Sequence, residues 1–260
     1  MLSWTSFRSG ILIGLIVLVL ALVFGRFDAI PQDPAYHRFA DSRRLFGIPN
    51  FLDVISNLGF VVVGAWGGWR VSFGALREIP IDVRRILAVL FWGITLVGLG
   101  SGYYHLWPDN HTLLWDRLPM AVVFMALFSL VVSEYLSAAL ARRLFIPLIL
   151  LGIASVIYWY LTELGEAGDL RFYALVQYLP ALLIPVILLC YSSSGTPPGA
   201  YWGLLLVYAV AKVLEHFDGP VFQLLGFVSG HSLKHLVAAA GLCWLLLAVE
   251  KSYREHSSHA

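Results

Sequence analysis

Charge is scarce in this sequence. Only 13% of its 260 residues are Asp, Glu, Lys or Arg, about half the ~25% usual in a soluble domain. With 59% apolar residues and a mean hydropathy of +0.79, that scarcity excludes an ordinary soluble domain. The net charge is +1, which gives no reason to expect a nucleic-acid partner, and nothing indicates a protein partner. Cysteine is nearly absent. Cys190 and Cys243 both lie inside apolar runs, so they read as packing residues rather than a disulfide and say nothing about redox compartment. Strands of about 10 alternating apolar and polar residues, the mark of a membrane β-barrel, are missing too. So are internal repeats and low-complexity tracts.

What the chain has is long apolar runs. A membrane-spanning helix needs about 20 mostly apolar residues. Eight segments come near that length: 8–25, 52–72, 84–105, 113–136, 144–162, 173–191, 200–216 and 230–250. The expected fold is all-α, a polytopic transmembrane helical bundle with a seven-helix core and one extra N-terminal helix. The first run, "SGILIGLIVLVLALVFG", follows Arg8 as a signal peptide would. It is long, however, and "GRFDAI" after it lacks a small-x-small cleavage site, so a retained helix is expected. The organisation is then an added helix at 1–27, a seven-helix unit at 28–250 and a solvated polar tail at 251–260, in which His256 and His259 read as surface residues.

Lys and Arg beside the helix ends set the orientation. Nine such residues fall on the side of both termini and six on the other, four of those six in the first long loop. Both termini are therefore expected in the cytoplasm. The third span ends, and the fourth and eighth begin, on the outer side.

Polar groups gather at those three ends. "GSGYYHLWPDNHTLLWDRLPM", 100–120, places Ser101 and His105 four residues apart, on one helical face. "GHSLKH" repeats that spacing with His231 and His235, a geometry by which two imidazoles can hold one zinc. The Glu that follows the first histidine in soluble zinc proteases is here Ser232, so a hydrolytic base must come from elsewhere. Asp116 is the candidate, although a pair with Arg117 or a helix-terminal charge would equally account for it alone. Asp109 and His111 read as solvated. Lys212 and Glu215 are i,i+3 neighbours and read as a structural pair. Lys234 and Glu163 stay open between a structural role and a substrate contact. Ionisable groups inside spans are costly, so the cluster as a whole points to function. Three histidines could supply the ligands of a catalytic zinc with a fourth position for water. A carboxylate could move its proton, and Ser101 could donate to a developing oxyanion.

In this order, Ser101–His105, Asp116 and His231–His235 resemble the alkaline ceramidase family, part of a larger group of seven-helix membrane hydrolases that includes the adiponectin receptors. "GSGYYH", "WDRLPM", "GHSLKHLVAAAG" and "FLDVISNLGF" look like its motifs, and the similarity covers about residues 36–250. The resemblance implies an intramembrane zinc on His105, His231 and His235, Asp116 as the water-activating acid and base, and Ser101 at the oxyanion. It implies hydrolysis of the ceramide amide to a sphingoid base and a fatty acid, with a membrane lipid as substrate. Eukaryotic members also hold calcium before the first family helix. Here Asp41, Asn50 and Asp53 are the corresponding remnants, and Arg43 and Arg44 interrupt them, which counts against calcium. Two competing readings remain: a receptor with a closed, four-ligand structural zinc, and a transporter with charges spread over several membrane levels.

Overall fold

The computed structural model describes residues 4–193 and 195–258. Among them, all extended secondary structure is helical, apart from one isolated bridge between Leu45 and Ile48. The helices are α1 (Trp4–Arg26), α2 (Phe51–Ser56), α3 (Leu58–Ser72), α4 (Ile81–Leu106), α5 (Asn110–Val131), α6 (Ala138–Leu164), α7 (Arg171–Cys190), α8 (Pro198–His216), α9 (Asp218–Leu225) and α10 (Gly230–Ser258). A π-turn at Val132–Leu136 ends α5. Apolar sequence in lipid must satisfy its backbone internally, which leaves helices as the outcome for these runs.

Among the described residues, seven helical segments are long and apolar enough to cross a membrane. They correspond to α1, α2 with α3, α4, α5 with its π-turn, α6, α7 and α10. The chain is thus a polytopic helical membrane protein. The expected eighth span forms as α8, a helix of 19 residues, but it is not among the seven. Lys212 and Glu215 lie in its last turns.

Neighbours in sequence are neighbours in space from α3 to α6. Then α10 pairs with α8 and returns against α2 and α3, while α1 packs on α7. The ends are fixed by local chemistry. Asp109 caps α5, accepting from Thr112 N at 2.7 Å, and Thr112 Oγ1 accepts from Asp109 N at 3.2 Å, a reciprocal capping box. Ser229 caps α10 by accepting from Ser232 N at 3.0 Å.

One expectation is refined. The C-terminal segment is not wholly solvated, since α10 continues to Ser258. Ser252 is buried and donates to Gly195 O at 2.9 Å. The reading of His256 and His259 lies outside the described side chains. The turn between α7 and α8 is built around a buried carboxylate. Thr196 is buried and donates to Glu134 through its N–H at 3.1 Å and its hydroxyl at 3.0 Å, and Tyr201 adds a bond at 2.7 Å. A buried carboxylate is tolerated there because donors surround it.

Candidate metal centre and active site

The site begins with a close helix crossing. Pro119 lies inside α5 and has no N–H to give the carbonyl four residues back, that of Trp115. Gly100 of α4 packs against that same carbonyl: a Cβ at Gly100 would lie 2.1 Å from Trp115 O. Only glycine allows this approach. The next residue on each helix is Ser101 and Asp116, and both side chains line the same cavity. One turn further along α4 comes His105.

The other half of the site comes from the start of α10. A Cβ at Gly230 would lie 2.2 Å from Leu214 O, so α10 starts tight against α8. Asp218 fixes the entry, accepting from His231 N at 2.8 Å through one oxygen and from Ala40 N at 2.9 Å through the other. His231 and His235 then project toward His105, and all three are buried.

One potential ligand atom from each histidine lies within 4.8 Å of the others, the one such group of three His, Cys, Asp or Glu among the described residues. Nε2 of His105 and Nε2 of His231 are 3.2 Å apart. Tetrahedral ligands about 2.05 Å from a zinc would have nitrogens about 3.3 Å apart, so this spacing fits a metal. The hydrogen-bond network also assigns a tautomer to His235. Ser56 Oγ donates to Asp53 O at 3.1 Å, so it accepts from His235 Nδ1 at 2.8 Å. That leaves the Nε2 lone pair of His235 toward the centre, the usual arrangement of an outer partner orienting a ligating histidine. Phe39 covers the group, its ring 4.6 Å from that of His105 and 4.9 Å from that of His231.

Sequence reasoning missed Ser56 and Phe39, and it noted Asp218 at a helix end without giving it a role at the site. The signal for Ser56 lay in "FLDVISNLGF", where it follows Asp53 by three residues on a helix that faces α10. Asp53 itself binds protein: its Oδ1 accepts from Ser232 Oγ at 2.6 Å and Ser229 Oγ at 3.2 Å, tying α2 to the start of α10. Asn50 Nδ2 donates to His105 O at 2.8 Å. Asp41 is held by Arg43 through two bonds of 2.7 Å, and that guanidinium lowers its carboxyl pKa below the usual range. The three residues named as a calcium remnant thus each hold a different part of the protein.

Other expectations resolve similarly. Arg117 does not pair with Asp116. Its Nη2 donates to Gln32 Oε1 at 2.6 Å, and its cation sits 4.2 Å from the ring centre of Trp159 and 4.9 Å from that of Tyr173. Asp109 and His111 are exposed as expected, but His111 also meets Tyr160 Oη at 2.6 Å. Glu163 accepts from Gln32 N at 2.5 Å and Trp159 Nε1 at 3.2 Å, a structural role. Lys212 and Glu215 do pair, at 2.5 Å, and Lys234 joins the same carboxylate at 2.6 Å.

Ser101, Asp116 and His235 line a cavity of about 260 Å³, together with Lys212, Glu215 and Lys234. Phe60, Val97, Met120, Tyr208 and Ala238 also border a second, apolar cavity of about 170 Å³, lined further by Ile94, Leu127, Ile184 and Leu242. The two adjoin through those shared walls, and together they reach the ~300–1,000 Å³ of small-ligand sites.

Fold and site define a class: a multi-pass helical membrane protein with a buried three-histidine group able to hold a metal ion, open to a cavity that is polar at one end and apolar at the other. The ceramidase family model matches residues 47–194, more than half of the chain, and the chain belongs to the ceramidase family. The matched segment contains Ser101, His105 and Asp116, while His231 and His235 lie beyond it. No curated protein matches the chain.

Proposed function

We propose that this chain is a zinc-dependent intramembrane amidohydrolase that cleaves a ceramide-like lipid to a sphingoid base and a fatty acid. The observation that carries the reading is the meeting of three buried histidines with a carboxylate and a hydroxyl on the wall of a two-part cavity. His105, His231 and His235 would hold the metal. A zinc on three imidazoles supplies Lewis acidity toward the amide and a water acidified to a pKa of about 7.

The chain's own residues do the rest. The apolar cavity takes the acyl tail, so the amide comes to rest beside Asp116 and Ser101. Asp116 takes a proton from the attacking water and delivers it to the departing nitrogen. Water's oxygen joins the acyl carbon, the C–N bond breaks, and the products are a carboxylate and an amine. Ser101 donates to the oxygen on which negative charge develops. Phe39 and the packed helices keep bulk water out, which strengthens each of these interactions.

A structural zinc would close its site with a fourth ligand. The group here has three members, and Asp116 stands outside it, which supports the catalytic reading. Residues 28–250 form the hydrolase unit, with 1–27 as an added helix. With α8 counted as an eighth crossing, both termini are cytoplasmic and the centre lies toward the outer side, a reading that rests on the Lys and Arg count. No calcium role is assigned to Asp41, Asn50 or Asp53.

Metal analysis and ceramide turnover on the purified chain test the proposal. About one zinc per chain is expected, lost in His231→Ala. Asp116→Asn is expected to keep its metal and lose hydrolysis. Turnover by both variants at the wild-type rate would refute it.

A further inference from the structure

The polar cavity holds more positive charge than its chemistry needs. Three cations line it, Arg117, Lys212 and Lys234, against two carboxylates, Asp116 and Glu215. Glu215 is fully spent: Oε2 meets Lys212 Nζ at 2.5 Å and Oε1 meets Lys234 Nζ at 2.6 Å. One carboxylate therefore serves two ammonium groups, and each ammonium keeps further N–H donors. Arg117 makes no ion pair among the described residues. It is 6% exposed, its one hydrogen-bonded partner is the neutral Gln32, and its Nη1 is buried with no partner. The lining thus carries one positive charge in excess before any metal is counted, and a divalent metal on the adjoining histidines would add to it.

An excess charge in a lipid-embedded cavity is costly unless something offsets it. A neutral ceramide brings hydroxyls and an amide, which offset none of it. An occupant with a carboxylate or phosphate beside its amide would neutralise the excess and meet the spare N–H donors with charge-assisted bonds. The apolar tail has its own cavity next door, so the anion belongs to the head-group end of the molecule.

Building on the amidohydrolase reading, we infer that the preferred substrate is an N-acyl lipid with an anionic head group, received by Lys212, Lys234 and Arg117. The family's neutral ceramide is then a poorer substrate for this chain than an acyl amide that bears an acid.

The test is equilibrium binding to the full-length, metal-loaded protein in zwitterionic nanodiscs. The probes are N-hexadecylsulfonylglycine and its methyl ester, in which a sulfonamide replaces the scissile amide so that binding does not depend on turnover. In the wild type the acid should bind about tenfold tighter than the ester, the worth of one hydrogen-bonded charge. Lys212→Gln removes the excess charge while leaving Glu215 paired with Lys234. It should bring the acid-to-ester ratio near one with ester affinity unchanged, and Lys212→Arg should restore the ratio. Comparing ratios cancels differences in how the two probes partition into the bilayer. Equal binding of acid and ester in the wild type, or a preference that survives Lys212→Gln, overturns the inference. Palmitate distinguishes the source of the anion. If palmitate binds in a Lys212-dependent way while the acid probe shows no preference, the cations serve the product's carboxylate and the substrate assignment falls. Failure of the wild type to hydrolyse both N-palmitoylglycine and ceramide would count against the amidohydrolase reading, and the binding ratio would still decide the anion subsite.

Discussion

The contact between α4 and α5 at Gly100 can be tested by adding one methyl group. In Gly100→Ala the new Cβ would lie 2.1 Å from the Trp115 carbonyl oxygen and 2.9 Å from its carbon. Both atoms are backbone, so no side chain can swing aside. The helices must separate by about 1 Å before the contact becomes ordinary. Overpacking of this kind costs about 1–3 kcal/mol, which would appear as a fall of several degrees in the thermal midpoint. The larger effect is on chemistry. Ser101 and His105 ride on α4 while Asp116 rides on α5, so the same separation pulls the carboxylate away from the three-histidine group. A misplacement of about 1 Å is worth on the order of 100-fold in rate. Gly102→Ala is the control, since its Cβ would have nothing nearer than Val54 O at 3.9 Å. The assay is lipid-amide turnover with metal content and thermal midpoint measured on the same samples. Metal content should change little in Gly100→Ala, because the three histidines sit on α4 and α10. Wild-type turnover and stability in that variant would refute the account of how the site is assembled.

Three further outcomes follow from particular contacts. Ser56→Ala removes the partner of His235 Nδ1 and should weaken metal affinity about 10–100-fold, read by competition with a chelator. His231→Ala should lose the metal altogether while Asp116→Asn keeps it, read by metal analysis. Asp169, in the loop before α7, is bound by Arg171 through bonds of 2.9 and 2.8 Å, which hold its carboxyl down at about 2. Against ~3.9 in an unfolded chain, the depressed folded value corresponds to at most about 2.6 kcal/mol of stability before solvent screening reduces it, present above pH 4 and lost as pH falls from 4 toward 2. The midpoint difference between wild type and Asp169→Asn should therefore be constant from pH 5 to 8 and close below pH 4; a difference that persists at pH 2 would reject this assignment.

The helices and the histidine pairs were legible for a simple reason. Spanning length and i,i+4 spacing are local properties, and local properties survive in a single sequence. What was not legible is which helix faces meet. In a soluble helix the apolar stripe reveals the buried side. In lipid both sides are apolar, so the rotation of α2 toward α10, and with it the Ser56–His235 contact, leaves no periodic trace. The crossing at Gly100 had a signal, a glycine and a proline 19 residues apart, but its meaning depends on α5 folding back against α4. The C-terminal segment misled for the opposite reason. Its polar residues suggested solvation, yet Ser252 and Tyr253 reach back to the linker and to Glu134.

The acids of this chain also separate by what they are already doing. Glu134 is surrounded by hydroxyl and amide donors, Asp218 by two backbone N–H groups, and Asp53 shares one oxygen between two serines. Asp41 and Asp169 are each held by an arginine two residues away. Each of these carboxylates accepts the contacts that order its surroundings, so losing it would loosen the fold. Asp116 is different. It is buried, its adjacent arginine is turned toward Gln32 and the aromatic rings, and it shares the wall of the cavity with Ser101. A carboxylate that supports little of the structure can gain and lose a proton without disturbing it. That freedom, beside three histidines fixed by Asp218, Ser56 and Asn50, is what a general acid and base requires.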